Sequence, residues 1–168
     1  SPPDFDFIKR LFPEIKDINS SLVGKAISMV FISIDKGRMG HVKELGRQLC
    51  SLEEFRHIKL LIFLEHTVDI SDIGDAIWRF SNNVDPRRDA MIIEPSALDE
   101  CSHLIMDGTR KTKELDGFQR DWPNILASDE TTIQAIDQKW DALGLGPFIP
   151  SPSRKYADQL YGKKAVAE

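Results

Sequence analysis

The sequence lacks any long apolar run, and this absence limits the class of protein that it can encode. No stretch approaches the roughly 20 consecutive apolar residues that a membrane-spanning helix needs. The first six residues contain neither a basic region nor an apolar core, so they do not have the pattern of a secretory signal. The chain also begins without Met. We therefore expect it to be an excised part of a longer protein.

Cysteine and basic charge are scarce as well. Cys50 and Cys101 lie far apart and outside any metal-binding spacing, which favours free thiols in a reducing compartment and a cytoplasmic protein.

The 22 Lys and Arg are outnumbered by 27 Asp and Glu. Nucleic-acid binders usually have a basic surplus, so we expect no nucleic-acid partner. The 41% hydrophobic and 29% charged content of 168 residues is typical of a globular domain with its own core.

What the sequence does contain is an alternation of strand and helix patterns. The continuous apolar run at residues 60–64 predicts a strand that is covered on both faces. The helix that follows carries a stripe at Ile73, Ile77, Phe80 and Val84, which we expect to lie on the sheet. Further strand patterns occur at residues 26–34, 90–93 and 101–106, with a helix near residues 42–52. This alternation predicts a three-layer α/β/α sandwich with a mostly parallel or mixed central sheet.

The composition changes after Gly144, where prolines become frequent. We predict an α/β domain at residues 1–145, then a Pro-rich linker and a C-terminal helical arm at residues 146–168 with a frayed tail from Gly162. The spacing of Tyr156, Leu160 and Tyr161 predicts an apolar face that needs a partner. Trp122, in a polar segment, is expected to be exposed. These four residues are the predicted interface with another subunit.

Three polar clusters are candidate sites. Glu65, His66 and Asp69 follow a central strand, where open α/β sheets place ligands, and they offer a metal or phosphate site. Residues 85–89 contain charges for an interdomain ion pair, and residues 107–111 could hold a phosphate through backbone N–H groups. In each case we take an ordinary turn or helix cap as the interpretation, with no metal ligand, and the functional site is the alternative. The sequence has no G-x-S-x-G, Walker or G-x-G-x-x-G motif, so it assigns no catalytic or cofactor-binding residue.

Three segments together resemble a known family. The first segment is Val68-Asp69, a helix with Trp78, and then residues 84–89, Val-Asp-Pro-Arg-Arg-Asp. The second segment is residues 104–111. The third lies earlier in the chain, at residues 11–15, and reads Leu-Phe-Pro-Glu-Ile. In their order along the chain, residues 11–15, 68–89 and 104–111, these segments resemble the C-terminal part of the UbiD-type carboxy-lyases over roughly residues 5 to 112. One departure is the sequence Glu-His-Thr at residues 65–67, where the family usually has consecutive acidic residues.

The resemblance implies a function. UbiD-type enzymes are lyases that decarboxylate aromatic or α,β-unsaturated acids with prenylated FMN and a divalent metal, in some cases for ubiquinone or menaquinone biosynthesis. The resemblance implies that the flavin, its metal and the Arg and Glu acid–base network belong to a preceding domain. This chain would then form an active-site wall or lid and contribute to a homo-oligomer. Two alternatives remain: a free-standing α/β domain with a metal or phosphate site, or a purely oligomeric interaction module.

Overall fold

The sheet at the centre of the protein is mixed and five-stranded. A computed structural model describes residues 4–21, 28–95 and 101–167. Within these ranges the strands are β1 (Ile15–Asn19), β2 (Met29–Ile34), β3 (Leu60–Glu65), β4 (Ala90–Ile93) and β5 (His103–Asp107). Their order across the sheet is β1-β2-β3-β5-β4. The predicted α/β fold with a mostly parallel or mixed sheet is therefore confirmed.

The three central strands run in the same direction. β2 pairs with β3 and β3 with β5 in parallel, while the outer strands β1 and β4 pair antiparallel to their neighbours. Met29 lies opposite Leu60, which in turn lies opposite Leu104. The carboxyl ends of β2, β3 and β5 therefore meet at one edge of the sheet.

Helices and short turns surround this sheet. The α-helices are α1 (Phe5–Leu11), α2 (His41–Cys50), α3 (Ile73–Asn83), α4 (Pro86–Asp89), α5 (Lys113–Asp116) and α6 (Glu130–Asp137). Single 3₁₀ segments occupy Glu53–Phe55, Asp141–Leu143 and Pro152–Gln159. Successive strand residues contribute to two different apolar clusters, because side chains alternate between the faces of a strand. Ile32 packs in the cluster with α2, whereas Phe31 packs in the cluster with α3.

Helix α3 lies on the sheet with most of the predicted stripe, but one of its positions differs. Ala76 is fully buried, whereas Ile77 is 48% exposed. Ile73, Phe80 and Val84 are partly buried against the second apolar cluster, as the stripe predicted. The placement of Ile77 in that stripe was wrong, because Ala76 takes the buried position in the cluster and the next residue of the helix points in a different direction.

Helix α2 approaches β5 so closely that one position admits only glycine. A Cβ atom at Gly46 would lie 2.5 Å from Cδ1 of Ile105 and 3.0 Å from its Cγ1 and Cγ2. Ile105 is fully buried in the cluster between the helix and the sheet. The side chain therefore cannot move away without displacing the core.

We expect Gly46→Ala to lower the free energy of unfolding by about 1–3 kcal/mol, because overpacking outweighs the gain in helix propensity. The measurement is urea denaturation within a double-mutant cycle. Ile105→Ala alone should cost about 2–5 kcal/mol. In that background Gly46→Ala should become neutral or stabilising. An equal cost in both backgrounds would contradict the close contact.

The chain divides into two compact units, Ser1–Arg120 and Asp121–Glu168. Helix α6 lies in the second of these units. Unit 2 is tied together by Asn124, whose Nδ2 donates to the carbonyl oxygens of Tyr161 (3.2 Å) and Lys164 (2.9 Å). Pro123 also forms a β-bridge with Val166. The expectation of a frayed tail was therefore wrong as far as residue 167.

The four predicted interface residues lie within this second unit. Trp122 is partly buried rather than exposed, and its carbonyl oxygen accepts a hydrogen bond from the backbone N–H of Ala167 at 3.0 Å. Tyr156 and Tyr161 are partly buried, and Leu160 is 37% exposed. Their role in an interface stays a prediction, as does the division at residues 145 and 146.

Candidate functional site at the carboxyl ends of the parallel strands

Polar side chains collect where β2, β3 and β5 end. Lys36 follows β2, Glu65 is the last residue of β3, and Asp107 is the last residue of β5. Open α/β sheets bind their ligands outside this edge. A functional site of this domain is therefore expected at this edge of the sheet.

Lys111 is the centre of the charges at this edge. Only 2% of the residue is exposed. Its Nζ donates to the carbonyl oxygens of Asp107 (2.8 Å) and Thr109 (2.7 Å) and to Oδ1 of Asp107 (3.0 Å). Oδ1 of Asp89 lies 3.6 Å away. An ammonium has three donors, and these contacts satisfy all of them.

Asp89 links the network to the segment before β4. Arg88 forms a bidentate pair with it, Nε to Oδ1 and Nη2 to Oδ2, both at 2.7 Å. Oδ2 of Asp89 also accepts the backbone N–H of Asp85 at 2.7 Å. The pair forms here because Asp85 caps α4 and Pro86 supplies its first turn. The predicted charges at residues 85–89 are thus bonded to one another.

Lys36 links the network to the loop after β5. Its Nζ donates to Oδ1 of Asp116 (2.8 Å), Oγ1 of Thr109 (2.7 Å) and the carbonyl oxygen of Arg110 (3.1 Å). Thr112 caps α5 and positions Asp116. We refer to the connected side chains Lys36, Arg88, Asp89, Asp107, Lys111 and Asp116 as the charge network.

Burial and charge oppose each other within this network. Burial alone would raise the pKa of Asp107, but the ammonium groups of Lys111 and Lys36 lower it overall. Burial lowers the pKa of Lys111, and the carboxylates of Asp107 and Asp89 counteract only part of that effect. The network therefore keeps charges in place by pairing them inside the protein.

In the loop at residues 107–111, where a phosphate could have been held by backbone N–H groups, three of these groups already have acceptors within the chain. That of Gly108 donates to the carbonyl oxygen of Phe63 at 2.9 Å. The backbone N–H of Thr109 donates to Oδ1 of Asp107, and that of Arg110 donates to Oε2 of Glu65, both at 3.0 Å. Carboxylates of the chain itself thus take the place that a phosphate would need. These bonds agree with the favoured interpretation of the loop, a turn that leaves the sheet.

The three candidate metal ligands have separate partners. Glu65 is buried, and its Oε1 lies 3.3 Å from Nη2 of Arg79. His66 is exposed, and its Nδ1 lies 3.9 Å from Oδ1 of Asp35. Asp69 accepts the backbone N–H of Ser71 at 3.0 Å. In residues 4–21, 28–95 and 101–167, no group of three His, Cys, Asp or Glu side chains could hold a metal ion. The described side chains thus offer no group that could hold a metal ion.

A cleft of about 150 Å³ opens beside the charge network. Met39, Gly40, Lys43 and Leu115 line it together with Arg88, Asp89, Asp107, Lys111 and Asp116. Lys43 donates to the carbonyl oxygen of Arg88 at 3.0 Å, so the cleft walls are bonded to each other. The arrangement holds two loops and α4 rigidly at the edge of the sheet. The central roles of Lys36 and Lys111 escaped the sequence interpretation, since Asp116 is 80 residues from Lys36.

Fold and site together define an α/β domain in which a buried charge network holds the edge at the carboxyl ends of the parallel strands. The model of the 3-octaprenyl-4-hydroxybenzoate carboxy-lyase C-terminal domain matches residues 3–113. The chain belongs to this family, and the resemblance given above is confirmed. No described helix of the chain has both the length and the apolar character that crossing a membrane requires.

Relatives and solved structures agree with this assignment. An uncharacterized protein of Aeropyrum pernix is 32% identical over 82% of this chain and 30% of its own length, and one of Aquifex aeolicus is 31% identical with the same coverage. The chain thus spans less than a third of these relatives. The closed form of vanillic acid decarboxylase from Sedimentibacter hydroxybenzoicus has a TM-score of 0.64 at 18% identity, covering 84% of this chain and 31% of that one.

A second solved structure has the same fold. The UbiD-class enzyme HmfF from Pelotomaculum thermopropionicum, in complex with FMN, has a TM-score of 0.55 at 19% identity. The similarity covers 79% of this chain and 31% of HmfF. At these identities the comparisons with solved structures establish the fold of the chain.

Proposed function

We propose that this chain is the C-terminal domain of a UbiD-like carboxy-lyase that removes CO₂, without hydrolysis, from an aromatic or α,β-unsaturated acid. The observation that carries the proposal is the family match over residues 3–113. The structural likeness to vanillic acid decarboxylase supports it, and so does the length of the relatives, which extend well beyond this chain. Ubiquinone or menaquinone biosynthesis in the cytoplasm is the proposed setting.

In this proposal a preceding domain binds prenylated FMN and its divalent metal, and that cofactor supplies the chemistry of decarboxylation. HmfF has been solved in complex with prenylated FMN, which supports a flavin in this class of enzyme. Glu65 and the N–H groups of Thr109 and Arg110 bond to other parts of this chain. In this proposal the residues that bind the flavin and its metal therefore belong to the preceding domain.

The chain itself would act as a wall or lid over the active site and as an oligomer contact. The edge at the carboxyl ends of β2, β3 and β5 is the proposed wall, because the charge network holds its loops in one arrangement. Such rigidity suits a surface that excludes water while another domain carries out the reaction. The predicted oligomer contact at Trp122, Tyr156, Leu160 and Tyr161 belongs to the same proposal.

The test compares this chain with the longer protein encoded together with the sequence upstream of Ser1. Each is mixed with prenylated FMN, Mn²⁺ and a panel of aromatic and unsaturated acids, and CO₂ release and flavin retention after gel filtration are measured. We expect the longer protein to retain flavin and release CO₂, and this chain alone to do neither. Turnover by this chain alone would contradict the proposed division of roles. A longer protein that binds no flavin would contradict the proposed activity.

A further inference from the structure

The two edges of the central sheet differ in how they are protected. An edge strand directs the backbone N–H and C=O groups of alternate residues away from its neighbour, and natural sheets shield such groups with charges or bulges. Lys16 and Asp17 are exposed on β1, and the pairing register shifts between Ile15 and Asp17. The backbone N–H of Ile18 donates to Oδ1 of Asp17 at 2.9 Å. β1 thus has the features of an edge that accepts no further strand.

β4, at the opposite edge, lacks both the charges and the bulge. It consists of the four apolar residues Ala90–Ile93, and its register with β5 is continuous. Ile92 is 66% exposed. Within residues 4–21, 28–95 and 101–167, β4 pairs with no strand other than β5. An exposed apolar edge of this kind is a template for a further strand.

An apolar row of side chains runs across the sheet and ends at this open edge. Leu60 lies opposite Met29 on one side and Leu104 on the other. Leu104 in turn lies opposite Ile92, and side chains that lie directly opposite share one face of the sheet. The other three residues are partly buried against the second apolar cluster, whereas Ile92 is mostly exposed. A strand beside β4 would continue the row and cover Ile92.

Helix α3 leaves Ile92 uncovered, because it is bonded to the other end of the sheet. Nη2 of Arg79 lies 3.3 Å from Oε1 of Glu65, the last residue of β3. Nδ2 of Asn83 donates to the carbonyl oxygen of Gly108, directly after β5, at 2.9 Å. The connection from β3 through α3 to β4 therefore begins and ends at the carboxyl ends of the parallel strands. The exposed end of the row lies near their amino ends.

We infer that the outer edge of β4 pairs with an extended segment of the longer protein that lies outside these 168 residues. The segment adds a strand to the five-stranded sheet. In such strand addition, backbone hydrogen bonds give affinity and alternate side chains give specificity. The segment carries an apolar β-branched or aromatic side chain beside Ile92. The inference shares with the proposed function only the premise that this chain is part of a longer protein.

The size of the edge favours a tethered segment over a second copy of the chain. Four residues at about 3.3 Å each give an edge of only about 13 Å. A standard interface between free proteins takes about 800 Å² from each partner, far more than this edge offers. A segment of the same polypeptide needs less area, because its tether gives an effective concentration in roughly the millimolar range. This chain covers only 30% of its relatives, so most of each relative lies outside the matched part.

The test is amide hydrogen exchange, followed by mass spectrometry, at residues 90–95 in this chain and in the longer protein. We expect the outward amides of β4 to exchange at least about tenfold more slowly in the longer protein. Ile92→Lys should return the exchange in the longer protein to the rate of this chain, because it places a charge on the pairing edge. Leu11→Lys, at a position on α1 that is 50% exposed, is the matched control and should leave the exchange unchanged. Circular dichroism checks that both variants remain folded.

Three outcomes would overturn the inference. Equal exchange of these amides in the two proteins would mean that no strand is added. Slow exchange in this chain by itself would assign the edge to a second copy if it depends on concentration, and to a segment of the same chain if it does not. Equal effects of Ile92→Lys and Leu11→Lys would mean that the edge is not the surface involved. The exchange requires neither flavin nor CO₂ release, so its failure and that of the proposed decarboxylase activity are distinguishable.

Discussion

Lys111→Ala should lower the free energy of unfolding by about 3–5 kcal/mol, because it leaves two carboxylates in the interior without their ammonium partner. Asp89 is 2% exposed and the side chain of Asp107 is 13% exposed, so water cannot replace the lost contacts. The freed carbonyl oxygen of Thr109 adds to the cost. Urea denaturation followed by circular dichroism gives the free energy.

Lys113→Ala is the matched control for this change. Lys113 is exposed and lies two residues further along the same loop, at the start of α5. Its replacement should change the free energy of unfolding by no more than about 0.5 kcal/mol. Equal effects of the two variants would mean that net charge, rather than the buried network, determines the stability of this edge.

Ala76→Asp should lower the free energy of unfolding by more than about 4 kcal/mol, because it places an unpaired charge between α3 and the sheet. Ala76 is fully buried in the cluster that contains Phe31, Ile62 and Leu64. Thermal melting and urea denaturation measure the loss. We expect the variant to populate a state without fixed tertiary packing.

Ile77→Asp is the control at the adjacent position. The exposed Ile77 tolerates a charge, so the change should cost about 1 kcal/mol or less. The sequence pattern alone predicts the opposite, since Ile77 belongs to the apolar stripe and Ala76 does not. A larger cost for Ile77→Asp than for Ala76→Asp would contradict the observed orientation of the helix.

Periodicity determined which segments become strands and helices. The apolar run at residues 60–64 predicted a strand covered on both faces, and β3 packs on both sides. The apolar stripe after it predicted α3, which begins after Asp72. Both elements depend on residues close in sequence, because the spacing of apolar side chains differs between a strand and a helix. The ordered motifs also sufficed to indicate the family that the comparisons confirm.

The sites, by contrast, were decided by tertiary structure. Lys36, Asp89 and Lys111 come together because three strands end at one edge and two loops fold over it. Glu65 is bonded to Arg79 and to the N–H of Arg110, two partners that no local pattern reveals. The energy of a buried charge depends on which partner reaches it, and that partner is many residues away. The sequence by itself therefore determined the elements and the family, and only the packing of those elements decided which charges pair and which apolar side chains stay exposed.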